Sequence, residues 1–132
     1  MAHVVSGLPE HGRVDCSLCH TTEITFDRTK TVADDWRVTA NPLAWGNTSP
    51  KVVVLGFSKG PTQSGALASG PHDAIAYKGS RGNVGKILAH IGLLPGVDPS
   101  NLSATVDRLI ADRSGDFHFG SLIRCTVERF DG

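Results

Sequence analysis

The stretch "KVVVLG", Lys51 to Gly56, constrains the chain most. It is a continuous apolar, β-branched run, the pattern of a strand buried on both faces. A long loop rich in Gly, Ser and Pro follows it, "FSKGPTQSGALASGPHD". Loops of that length are often functional. Two helical patterns come next. In "NVGKILAHIGLL", Val84, Ile87, Leu88 and Ile91 fall at helical spacing and predict one apolar face, with Gly92 as the stop. In "DPSNLSATVDRLIADR", Asp98 is a candidate N-cap, Pro99 fits the first turn, and Leu102, Val106, Leu109 and Ile110 form the stripe. "FHFGSLIRCTV" then reads as a second strand, with Gly120 as a candidate bulge and His118 facing opposite to Phe117 and Phe119. Strand, loop, helices and strand together predict an α/β fold with parallel pairing.

Residues 1–50 read differently. They are rich in Thr and broken by Pro9, Pro42 and Pro50, which predicts an irregular N-terminal arm packed onto a 51–132 core through Trp36 and Trp45. The whole makes one domain. The chain has 132 residues, enough for a real core, and no apolar run long enough to cross a membrane. The first residues hold no apolar stretch of signal-peptide length, so a cytoplasmic address is expected by default. Thirteen basic and thirteen acidic residues cancel. A strongly basic balance would have pointed to nucleic acid, and this balance neither points to it nor excludes it, since a local patch suffices.

The arm carries "CSLCH", Cys16 to His20. Covalent haem fits the spacing poorly in context: haem attachment follows export, and Met1 is the only methionine. A thioredoxin-type pair needs a helix directly after it, and "HTTEITFDRTKT" is not one. Three readings stay open. Cys16 and Cys19 hold a metal with Cys125 and one of His20, His11 or His3, they hold half of an iron–sulfur cluster, or they are free thiols in the arm. His72, His90 and His118 show no metal-ligand spacing, and Asp107, Arg108, Asp112 and Arg113 read as a solvated helix face. The glycine loop lacks the G-K-[ST] of a P-loop, because Gly60 is followed by Pro61 and Thr62.

Taken in order, "CSLC", "VVVLGFSKGP", "GNVGKILAHIGL" and "SLIRCTVER" resemble the uracil-DNA glycosylase superfamily, above all its iron–sulfur branch. The resemblance spans roughly residues 16 to 129. It implies a parallel-sheet, three-layer fold of that family, incomplete at the C-terminus, whose open edge and apolar surface the rest of the domain or another protein would cover. It also implies DNA as partner, excision of uracil or another damaged base as activity, and a 4Fe-4S cluster held by Cys16, Cys19 and Cys125. Zinc, or no metal in so short a chain, are the alternatives.

The expected site is Gly56, Phe57, Ser58, Lys59, Gly60, Tyr77 and Ser121, with Ser58 in the catalytic position. The family's carboxylate after the glycine is Phe57 here, and its pocket Asn is Ser121. A Ser hydroxyl orients water but is a poor base at neutral pH, so weak turnover is expected. Phe57 is read evenly as a stacking partner for a flipped base or as a core residue. Lys59 is read as a solvated loop lysine, with attraction of a phosphate or of the departing charge as the alternative, and Tyr77 as packing with a wet hydroxyl, with base stacking as the alternative. A non-catalytic nucleic-acid- or partner-binding module on the same fold is the second function class. A metal-stabilised domain binding a small molecule in the glycine loop is the third.

Overall fold

The computed structural model describes residues 8–16, 25–33, 35–59, 61–67 and 70–129. Among these residues seven strands and three α-helices follow in order: β1 (Gly12–Arg13), β2 (Thr29–Ala33), β3 (Trp36–Thr39), β4 (Leu43–Gly46), β5 (Val52–Gly56), α1 (Pro61–Ala66), α2 (Arg81–His90), α3 (Leu102–Ala111), β6 (Phe117–Ser121) and β7 (Thr126–Arg129). The fold is mixed α/β. A four-stranded sheet runs β1-β4-β6-β5 and a three-stranded sheet runs β2-β3-β7. Among the described residues the one parallel pair is β5 with β6, and every other pair is antiparallel. The expected parallel pairing is therefore present at the edge that carries the glycine loop, within a mixed sheet.

The arm is not irregular. It supplies β1 to β4, and Leu43 and Trp45 of β4 are core residues. Thr and Pro misled the reading: Thr favours strands as strongly as it populates loops, and Pro42 and Pro50 sit at strand ends, where a missing N–H costs nothing. Trp36, expected to pack, leaves 42 % of its surface exposed on β3.

The chain crosses between the sheets three times, from β1 to β2, from β3 to β4 and from β6 to β7. One buried side chain ties the last two crossings together. Asn41 is fully buried; its Nδ2 donates to Thr126 Oγ1 at 2.8 Å and its Oδ1 accepts from Thr126 N at 2.8 Å. A buried amide satisfied in this way fixes a corner without leaving a polar orphan.

The core lies on one face of the larger sheet. Trp45, Phe117 and Phe119 share that face with Val52 and Val54, and α2 and α3 close over them. The α3 stripe is buried at Leu102, Val106 and Ile110, as its spacing predicts. In α2 the prediction holds only in part. Leu88 and Gly85 are buried, but Ile87 and Ile91 face solvent. The reason is Gly85: a β-carbon there would lie 2.9 Å from Leu102 Cβ, so the helices touch along the Gly85–Leu88 ridge rather than the larger apolar one. Gly92 ends the helix with φ +84°, as expected.

Strand β5 is not buried on both faces. It is the edge of its sheet, and Val53 and Leu55 are 43 and 52 % exposed. Gly120 is no bulge: it stands in unbroken register opposite Leu55.

Candidate functional site

Because β5 and β6 run parallel, their carboxyl ends lie side by side, where open α/β sheets place ligands. Gly56 pairs with Ser121, Leu122 N donates to Gly56 O at 2.8 Å, and Ile123 N donates to Phe57 O at 2.9 Å. The loop after β5 and the turn after β6 are thus stitched together. The expected residues Gly56, Phe57, Ser58, Lys59 and Ser121 meet at this one place; Gly60 lies outside the described residues.

Their roles are set by burial. Phe57 is 73 % exposed and is no core residue. Leu122 and Ile123 are exposed beside it, so the rim is apolar. Ser58 and Ser121 are half-buried. Lys59 overturns its expectation: it is 2 % exposed, and its Nζ donates to Arg124 O. Burial pushes its ammonium down from 10.5 to about 8, and the nearby Cys125 opposes part of that shift. Its amine faces the loop interior, away from any approaching phosphate.

Tyr77 also reaches this end of the sheet, but as a strut. Its ring edge lies where a Gly56 side chain would stand, 3.3 Å from an added β-carbon. Its hydroxyl lies 2.9 Å from Gly120 O and 3.2 Å from Val54 O, donating across the β5–β6 seam. The hydroxyl is not wet, and burial raises it to about 12. Its φ of 52° holds the ring in that position. A β-carbon at position 56 would press on the ring, which would have to give by a few tenths of an ångström.

The cysteines divide. Cys16 lines a small crevice with Val14, Phe26, Ala40 and Pro42. Cys125 precedes Thr126, the partner of Asn41, and both thiols are half-buried. Two of the three expected ligands therefore flank the 40–42 corner. Cys19 and His20 lie outside the described residues. Among the described residues no group of three candidate metal ligands includes a cysteine.

The group that does form was missed from sequence: His11, His72 and Asp73 bring ligand atoms within 4.8 Å of one another. No local spacing could have revealed it, since β1 carries His11 across to the turn at 72–74. A cavity of about 190 Å³ opens beside it, lined by Glu10, His11, Gly46, Thr48 and Arg113. The tautomers decide what the cluster can do. His72 Nε2 lies 2.9 Å from Ala44 O and must donate, which leaves Nδ1 with a free lone pair, as a metal ligand needs. His11 is the reverse. Its Nδ1 accepts from Gly46 N at 3.1 Å, so its proton sits on Nε2, the atom 2.6 Å from Asp73 Oδ1. A cation at Nε2 would need the other tautomer, whose Nδ1 proton would oppose the Gly46 N–H and break that bond. Asp73 Oδ1 is buried and accepts no aligned hydrogen bond. Burial lowers the pKa of His72 and so favours its neutral form. With Arg113 on the cavity wall, the trio reads as a polar tie that anchors β1. His72 completes it by stacking on Trp45, whose Nε1 donates to His72 O at 2.8 Å.

The comparisons with known proteins returned nothing: no family model, no curated protein and no solved structure matches this chain. Among the described residues no helix is long and apolar enough to cross a membrane.

Proposed function

We propose that the chain recognises DNA at the joined ends of β5 and β6, on a scaffold of the uracil-DNA glycosylase type, with base excision running feebly at best. The observation that carries this reading is Phe57: a large aromatic ring, 73 % exposed, at the carboxyl end of a parallel pair beside two half-buried serines. An aromatic held open in this way suits stacking on an unpaired or flipped base, worth about 1–3 kcal/mol per base. Ser121 and Ser58 would offer hydroxyls to the base edge and to water.

Weak chemistry follows from what the loop supplies. Glycosidic cleavage needs water placed at the sugar and a stabilised leaving base. Ser58 offers only a hydroxyl, and the Lys59 amine is committed to Arg124 O. That orientation favours a second reading, a module that binds without turnover. On that reading Cys16, Cys19 and Cys125 would hold an iron–sulfur cluster, or zinc with His20. Either would supply a structural clamp on the 40–42 corner, and iron, sulfide and zinc analysis of anaerobically purified protein tests it.

The test of function pairs release with binding. Uracil-containing single- and double-stranded oligonucleotides are incubated with protein and cleaved at abasic sites with alkali, and binding is followed in parallel. Binding that drops about tenfold in Phe57→Ala, with release faint or lost in Ser58→Ala, supports the proposal. Robust release that survives Ser58→Ala places the chemistry elsewhere, and binding indifferent to Phe57→Ala removes the site.

A further inference from the structure

The uncovered face of β5 has a geometry that fits a second copy of itself. Val52 N donates to Asp116 O and Gly56 O accepts from Leu122 N, so the even-numbered residues of β5 bond toward β6. In a parallel pair only alternate residues bond a given neighbour. Val53 and Leu55 therefore turn their N–H and C=O groups outward, and among the described residues no strand pairs with them. Their side chains are exposed as well, and Phe57, Leu122 and Ile123 extend the apolar surface past the strand ends. The strand "VVVLG" holds none of the usual edge guards, neither charge, proline nor bulge.

We infer that two copies pair antiparallel through β5 about a two-fold axis at Val54, forming one continuous eight-stranded sheet. The register is self-complementary. It sets Val53 opposite Leu55 of the second copy and Leu55 opposite its Val53. Those are the two residues with unpaired backbone groups, so four hydrogen bonds close. The same pairing puts the exposed side chains of Val53 and Leu55 in cross-strand contact. Charge agrees with this arrangement. Lys51, the only charged residue flanking the strand closely, falls opposite Phe57 of the second copy rather than opposite itself, so no like charges meet.

Area sets the strength of the contact. Val53 and Leu55 with the strand backbone bury on the order of 300–400 Å² per partner, below the standard size and in the range of weak, transient contacts. Leu122 and Ile123 lie on the β6 side of β5, outside the contact, and Phe57 stands at its rim. A reversible, concentration-dependent dimer is the expected result.

The test is light scattering on the intact chain across a dilution series from about 500 to 5 μM. The expected particle has twice the 14.0 kDa of one chain at the upper end and dissociates on dilution. Leu55→Lys, at an exposed position, should stay monomeric throughout with an unchanged circular dichroism spectrum. A mixture of Val53→Cys and Leu55→Cys chains should cross-link to each other several times faster than either does alone, the cross-link being mapped to those two positions. A monomer at every concentration overturns the proposal, even if a foreign strand binds the edge. So does a dimer that survives Leu55→Lys, an open polymer, or cross-linking that prefers like with like.

Discussion

The two faces of the four-stranded sheet begin from similar sequence and end differently. On one, Phe117, Phe119, Trp45, Val52 and Val54 are sealed beneath α2 and α3. On the other, His118 is buried between β4 and β5, but Val53 and Leu55 beside it are open. The residues of β5 alternate between the faces and are apolar on both. The difference teaches that apolarity states what a strand tolerates, whereas burial is decided by what crosses over it. One face of β5 is structural, and the other is a surface kept apolar.

The sharpest way to test that contrast is to truncate the sealed face. Phe119 is fully buried, 5.8 Å from the Phe117 ring and 6.1 Å from the Tyr77 ring. Phe119→Ala should cost about 3–5 kcal/mol in urea unfolding, the transfer of a ring plus the cavity it leaves. A loss below about 1 kcal/mol would mean that the helices do not close this face as described.

The next effect has the opposite sign. Lys59 is a buried amine whose folded pKa of about 8 lies below its ordinary 10.5. Below pH 8 both states hold the proton, and the folded state bears the full cost of burying the charge. Between pH 8 and 10.5 the unfolded chain binds more protons, so stability rises with pH, and above 10.5 the cost is gone. The difference amounts to about 3 kcal/mol at most. Lys59→Met should therefore stabilise the protein at pH 7, and its advantage over wild type should shrink toward pH 10.5. A destabilised variant at pH 7 would show that the bond to Arg124 O outweighs the burial.

What was legible in the sequence was local. Val106 and Ile110 announced the α3 stripe, and "KVVVLG" and "FHFG" announced β5 and β6 with their carboxyl ends side by side. What was illegible depended on partners distant in the chain. Burial at α2 turned on Gly85 meeting Leu102, not on Ile87 and Ile91. The arm became strands because β4 found β6 and β3 found β7. At the candidate site the sequence brought Phe57, Ser58 and Ser121 together correctly through the parallel pairing. It misjudged Lys59 and Tyr77, because whether a loop side chain turns in or out depends on carbonyls such as Arg124 O and Gly120 O that only the fold supplies. The His11–His72–Asp73 tie has no sequence signal at all.

The smallest expected effect separates the two faces most cleanly. Leu55 is 52 % exposed on the open face of β5, so Leu55→Ser removes little buried area and leaves no cavity. In dilute solution its cost should stay within about 0.5 kcal/mol, against several for Phe119→Ala on the sealed side. The same substitution becomes informative when the protein is concentrated. If β5 pairs with a second copy, wild-type stability rises with protein concentration by mass action while that of Leu55→Ser does not, and the gap between them widens. Urea midpoints at two concentrations a hundredfold apart measure both quantities in one experiment. A dilute-solution loss above about 1.5 kcal/mol would show that Leu55 is already covered within its own chain. A small loss that is the same at both concentrations would leave the face open and the strand unpaired.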